Sequence, residues 1–127
     1  MKNEEKRIKR INSILFLYRL EAGGEFSKDE IDPQVFSDIN NLLEHNDEIE
    51  SRLNNSLYNY TLSRLNLVDK AILKYSVYEM KYKGIPFEIS INEALEITKI
   101  YSDIDGKQVA FNNKVLDKAK DLINGDK

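Results

Sequence analysis

The stretch Asn66-Leu67-Val68-Asp69-Lys70-Ala71-Ile72-Leu73-Lys74-Tyr75-Ser76-Val77-Tyr78-Glu79-Met80 decides the fold class. Ile72, Leu73, Val77 and Met80 fall on one face of a helix. Asn66 is a suitable cap for its first turn, and Asp69 lies close to the positive end of the helix dipole. Gly84-Ile85-Pro86 then breaks the helix.

The pattern continues on both sides. Downstream, Ser90 and Glu93 have capping-box spacing and open a helix through Ala94, Leu95, Ile97 and Thr98 to about Tyr101. A polar loop from Ser102 to Lys107 turns at Asp105-Gly106. The last helix then offers Val109, Phe111, Val115, Leu116, Ala119 and Leu122 to a core. Upstream, Asp47 is expected to cap a helix carrying Ile49, Leu53, Leu57 and Tyr60. Before it, Asp32-Pro33 starts another, striped by Val35, Phe36, Ile39, Leu42 and Leu43 and interrupted at His45-Asn46-Asp47. Ser27 and Glu30 suit a short helical turn. The first helix is expected from about Glu4 to Glu21, with Ile8, Ile11, Ile14, Leu15 and Tyr18 on one face and Gly23-Gly24 ending it. No segment alternates with period two for long enough to make a strand, so the expectation is an all-α domain of six or seven helices.

The 127 residues suit one domain, 1–127, and 41% hydrophobic residues suffice for its core. With no Cys there is no disulfide, thiolate metal site or Cys nucleophile. The longest apolar runs, such as Ile14-Leu15-Phe16-Leu17-Tyr18, fall far short of the roughly 20 residues that span a bilayer. No apolar stretch of signal-peptide type follows the charged N-terminus. A soluble, cytoplasmic protein is expected. Net charge is −3, unevenly spread. Within residues 1–10, Lys2, Lys6, Arg7, Lys9 and Arg10 oppose Glu4 and Glu5, a local +3 that leaves −6 on the remainder. A basic tip on an acidic body suits one localised anionic contact and a separate surface for a basic partner; a solubilising terminus has the same composition.

Catalytic constellations are thin. His45 is the only histidine, and HExxH, P-loop, Gly-rich fingerprint and G-x-S-x-G patterns are missing. Asp103 and Asp105 match the first spacings of a calcium loop, but Gly106 comes too early and the terminal Glu is missing. No enzyme, cofactor, metal or small-molecule substrate is expected. Seven tyrosines occur, and a tyrosine near a basic patch can stack on an unpaired base. Most are expected to sit at the core edge with the hydroxyl in water. Tyr18 is the less clear case, sharing a helix with the basic tip.

Arg64-Leu65 with Val68 to Met80 resembles the NusB family pattern R-L…V-D-R-A-I-L-R-x-A-V-Y-E-L. Ile85-Pro86 followed by Ile91-Asn92-Glu93-Ala94-Leu95-Glu96-Ile97-Thr98-Lys99 resembles I-P…I-N-E-A-V-E-L-A-K, and Phe111 to Lys118 resembles F-V-N-G-V-L-D-K. Leu17-Tyr18 stands where the family's first helix carries L-Y.

The resemblance implies a two-bundle all-α fold without enzymatic activity. It implies pairing with NusE, a small-subunit ribosomal protein, and joint binding of single-stranded boxA RNA in support of the RNA polymerase antitermination complex that transcribes ribosomal RNA. By position, Lys2, Lys6, Arg7, Lys9 and Arg10 would meet phosphates, while Tyr18 and Phe111 would lie beside bases with Asn113 near the same surface. If all five cations met phosphates, log K against log salt would fall with a slope of roughly −3 to −4. The helix from Asp69 to Met80 would give part of the NusE-facing side through Asp69 and Glu79. Lys114 replaces the family glycine, either disturbing a close backbone approach or adding charge at the RNA face. The other reading is a helical protein-interaction scaffold that does not bind RNA.

Overall fold

The computed structural model describes residues 2–25, 28–103 and 105–126. It contains α1 (Asn3–Glu21), α2 (Pro33–Glu44), α3 (Asn46–Ser56), α4 (Leu67–Tyr82), α5 (Phe87–Tyr101) and α6 (Lys107–Gly125). Short 3-10 turns occur at Lys28–Glu30 and Leu62–Arg64, and no strand occurs among the described residues. The all-α expectation holds with six α-helices.

Local signals place most boundaries. Gly23, at φ 92°, takes a left-handed turn that ends α1. Asp32 Oδ1 accepts the backbone N–H groups of Gln34 (2.9 Å) and Val35 (3.2 Å), with Pro33 at the first helical position of α2. Asn66 Oδ1 accepts the N–H of Asp69 at 2.8 Å and caps α4. Asp103 Oδ1 accepts from the backbone of Gly106 and Gln108, so a carboxylate with calcium-loop spacing serves the start of α6.

Three boundary expectations fail. Asp47 lies inside the first turn of α3, whose cap position is His45. α3 stops at Ser56, leaving Tyr60 outside it. α5 begins at Phe87, so Ser90 and Glu93 are interior residues used for tertiary bonds. The turn expected at Ser27 starts from a residue outside the described ones.

α4 is the axis of the molecule. α1, α3, α5 and α6 pack around it, α1 and α5 running antiparallel to it. All residues from Ala71 to Met80 are buried in consequence, not only the face of Ile72, Leu73, Val77 and Met80. A helix buried all round is ordinarily apolar all round. Here its polar side chains are each matched from outside: Lys74 Nζ donates to Glu21 (2.7 Å) and Glu50 (3.0 Å), Ser76 and Ser90 share a 2.9 Å bond, and Glu79 accepts from Arg10 at 2.8 Å. Leu17, Ile39, Leu42, Ile49, Leu53, Ile97 and Leu116 close the core against this axis.

Candidate nucleic-acid interface

The basic tip occupies the first two turns of α1, against the C-terminal part of α4 and the start of α5. Its five cations divide into two groups. Lys2 and Lys6 are exposed and form no ion pair among the described residues. Lys9 is half-exposed and lies 3.7 Å from Asp32, a loose surface pair of little energy. The arginines instead bind the fold. Arg7 Nε donates to Glu93 Oε1 at 3.1 Å, and its Nη2 to the other oxygen, a two-point bridge between α1 and α5. Arg10 is buried at 8% exposure; its Nε donates to Glu79 Oε2 at 2.8 Å and its Nη1 to Glu93 Oε1 at 3.4 Å. Ser90 Oγ completes the cluster on Glu79 Oε1 at 3.2 Å.

Arg10, expected among the phosphate contacts, is buried, with its Nε and Nη1 bonded to Glu79 and Glu93 inside the molecule. Asp69 and Glu79, expected on the partner-facing side, are buried likewise, at 1% and 3% exposure. Asp69 Oδ1 accepts Ser102 Oγ (2.7 Å) and Asn112 Nδ2 (3.2 Å), so it ties α4 to α5 and α6. Both carboxylates belong to the one helix the others surround, which is why a face exposed on a lone helix is internal here.

The carboxyls around the arginines titrate in opposite directions. Glu93 is held below the ordinary carboxylate value, first by the hydrogen bond from Arg7. Glu79 is pushed above it by burial, which outweighs the pull of Arg10. A depressed carboxyl stabilises the fold above its unfolded value, and that contribution is lost as pH falls through the folded one. A raised carboxyl does the reverse: its contribution is present at low pH and lost as pH rises. Glu93→Gln is therefore expected to flatten the loss of stability below about pH 4.5, read as urea midpoint against pH. An acid limb as steep as that of the unchanged chain would remove Glu93 as a source of acid sensitivity.

Beside the tip lies a cleft of about 800 Å³, bordered by Lys6, Lys9, Asp38, Lys83, Pro86 and Ile89. The second group of sequence-assigned residues sits elsewhere. Phe111 is half-buried at the start of α6, its ring edge-on to Tyr60 with centroids 6.0 Å apart, and Asn113 and Lys114 are exposed on the following turn. The neighbouring Asn112 is fully buried and donates to Asp69 and Thr98, a polar side chain in the family's valine position.

The two groups do not meet. Arg10 contacts α4 at Glu79, while the Phe111 turn joins it through Asn112 at Asp69. Those positions are roughly 15 Å apart along the helix axis. Tyr18 is half-buried against the core, one turn before Glu21, which pairs with Lys74 and Lys70, so it lies nearer the Asp69 end. Two residues that shape this surface carry no local signal of that role. Glu93 has the spacing of a cap, and only its distance from the arginines in the folded chain reveals the bridge. Tyr60 continues the spacing of the α3 stripe but lies beyond the end of that helix.

The NusB family profile matches residues 5–121. The chain is 34% identical to the transcription antitermination protein NusB of Shouchella clausii (strain KSM-K16) over 128 residues, covering 92% of this chain and 95% of the relative. It is 36% identical to that of Bacillus subtilis (strain 168) over 97 residues, covering 76% and 72%. In fold it resembles T. maritima NusB, with a TM-score of 0.76 at 24% identity over 91% of this chain and 89% of that one. With the profile running through all six helices, and with relatives of this similarity along nearly the whole length, the chain belongs to the NusB family of transcription antitermination proteins.

Proposed function

We propose that this chain is a non-enzymatic antitermination factor that binds boxA-type single-stranded RNA together with NusE and so supports ribosomal RNA transcription in the cytoplasm. The observation that carries the RNA part is the cluster Lys2, Lys6 and Lys9 on the outer turns of α1, left available after Arg7 and Arg10 are tied to carboxylates. Three point charges draw a phosphate backbone without reading sequence. Tyr18, Phe111, Asn113 and Lys114 then lie at the far end of the strand's path, where bases would be met. Because Asp69 and Glu79 are internal, NusE is assigned to exposed carboxylates of the surrounding helices, such as Glu88 on α5 and Asp117 and Asp121 on α6. A basic ribosomal protein suits the net negative body.

The test is a mobility-shift titration of boxA RNA and a scrambled RNA of equal length, with and without NusE. Tighter binding of boxA in the presence of NusE supports the reading. Capture of NusE with no RNA bound in any combination would instead establish a helical scaffold that has no RNA role, a reading favoured by the internal use of Arg7 and Arg10.

A further inference from the structure

The link between α3 and α4 displays two tyrosines around a left-handed residue. Asn59 has φ 63°, a conformation that asparagine tolerates better than most side chains. The turn leaves Tyr58 84% exposed and Tyr60 52% exposed. A ring at 84% exposure gains almost nothing from the core, so burial does not explain Tyr58. Tyr60 meets Phe111 edge-on, joining this link to the start of α6 as one aromatic surface.

The charge pattern of the two joined segments is unusual for this chain. It carries 22 acidic residues, yet none falls between Ser51 and Val68 and none between Gly106 and Leu116. Among their cations, Arg52 is engaged by Glu48 and Asp126. Arg64 and Lys114 are exposed and form no ion pair among the described residues. Exposed aromatic faces, cations and runs free of carboxylates on both segments suit an unpaired polyanion with accessible bases. A paired RNA helix would not serve, because its bases stay stacked on one another.

We propose that Tyr58, Tyr60 and Phe111 form a stacking platform for unpaired bases of single-stranded RNA, with Arg64 and Lys114 holding the adjacent phosphates. This rests on the RNA-binding reading above and extends it to a loop that reading does not use. Stacking accepts every base, so the platform adds affinity and length of contact more than sequence preference. It also gives the strand a second anchor, remote from the lysines of α1.

Fluorescence anisotropy of end-labelled boxA RNA, titrated with the full chain alone and with NusE, tests this. Tyr58→Ala/Tyr60→Ala is expected to weaken binding by about 5- to 150-fold per base lost, and Tyr58→Phe/Tyr60→Phe to retain it. Tyr58→Ala alone alters a side chain that scarcely touches the fold, so it stays decisive if the double variant does not fold. RNA carrying 4-thiouridine should crosslink within Tyr58–Arg64. Unchanged affinity in the alanine variants, with RNA binding by the parent chain intact, overturns the platform and leaves the antitermination reading in place. Loss of NusE binding with RNA affinity retained assigns the loop to a protein and also overturns it. A parent chain that binds no RNA under either condition overturns both.

Discussion

Replacing Glu79 by alanine is expected to lower the stability of the fold by about 3 kcal/mol and the Tm by roughly 10 °C. The Glu79 carboxylate is 3% exposed and faces a guanidinium that is itself buried. Removing one partner of a buried pair leaves the other charge without compensation, at a cost of about 3–5 kcal/mol. The lower end applies because Arg10 keeps Glu93 at 3.4 Å, and Ser90 keeps its bond to Ser76. Arg10→Met/Glu79→Leu should recover most of the loss, since it removes both charges and fills the space with apolar groups. Urea and thermal unfolding measure both variants. A cost below about 1 kcal/mol for Glu79→Ala would reduce the pair to the worth of a surface bridge. The same reasoning separates Arg10 from the RNA contacts: Arg10→Ala should cost stability first, with RNA affinity nearly unchanged wherever the protein stays folded.

A roughly 100-fold loss of boxA affinity at 0.1 M salt is the expected result for Lys2→Ala/Lys6→Ala/Lys9→Ala, because each single-strand phosphate contact contributes a salt slope of about −0.7. Three such contacts account for about two decades at that salt and contribute about −2 to the slope, a share lost in the triple variant. That is shallower than the −3 to −4 expected if all five tip cations met phosphates. The difference follows from the bridges of Arg7 and Arg10 to Glu93 and Glu79. Stability should change by less than about 0.5 kcal/mol, since the three lysines lie on the surface of α1. Anisotropy titrations at several salt concentrations give affinity and slope together. A slope that stays the same in the triple variant would move the phosphate contacts away from α1.

The helices themselves were legible along the chain because their signals are local. The Asp32-Pro33 start, the Asn66 cap and the spacing of Ile72, Leu73, Val77 and Met80 each depend on residues within a turn or two. The family was legible for a related reason: its motifs lie largely on the buried axis helix α4 and on α5 and α6, two of the helices packed against it, where close packing restricts what each position accepts. Local signals misled where a residue had two uses. Ser90 and Glu93 have the spacing of a cap, but their oxygens serve Glu79, Ser76 and Arg7 from inside α5.

What the sequence determined by itself was helix content, most helix boundaries, the family and the uneven distribution of charge. The tertiary structure alone decided which charges remain available. Arg7 and Glu93 are separated by 86 positions, Arg10 and Glu79 by 69, and no periodicity within a helix reports such distances. Only when α1 lies against α4 and α5 do two of the five basic residues become internal ties and two expected partner carboxylates become buried acceptors. A charge withdrawn from water is unstable unless another charge or a hydrogen bond meets it, so packing buries Arg10 against its carboxylates, ties the half-exposed Arg7 to Glu93 and leaves the lysines facing solvent.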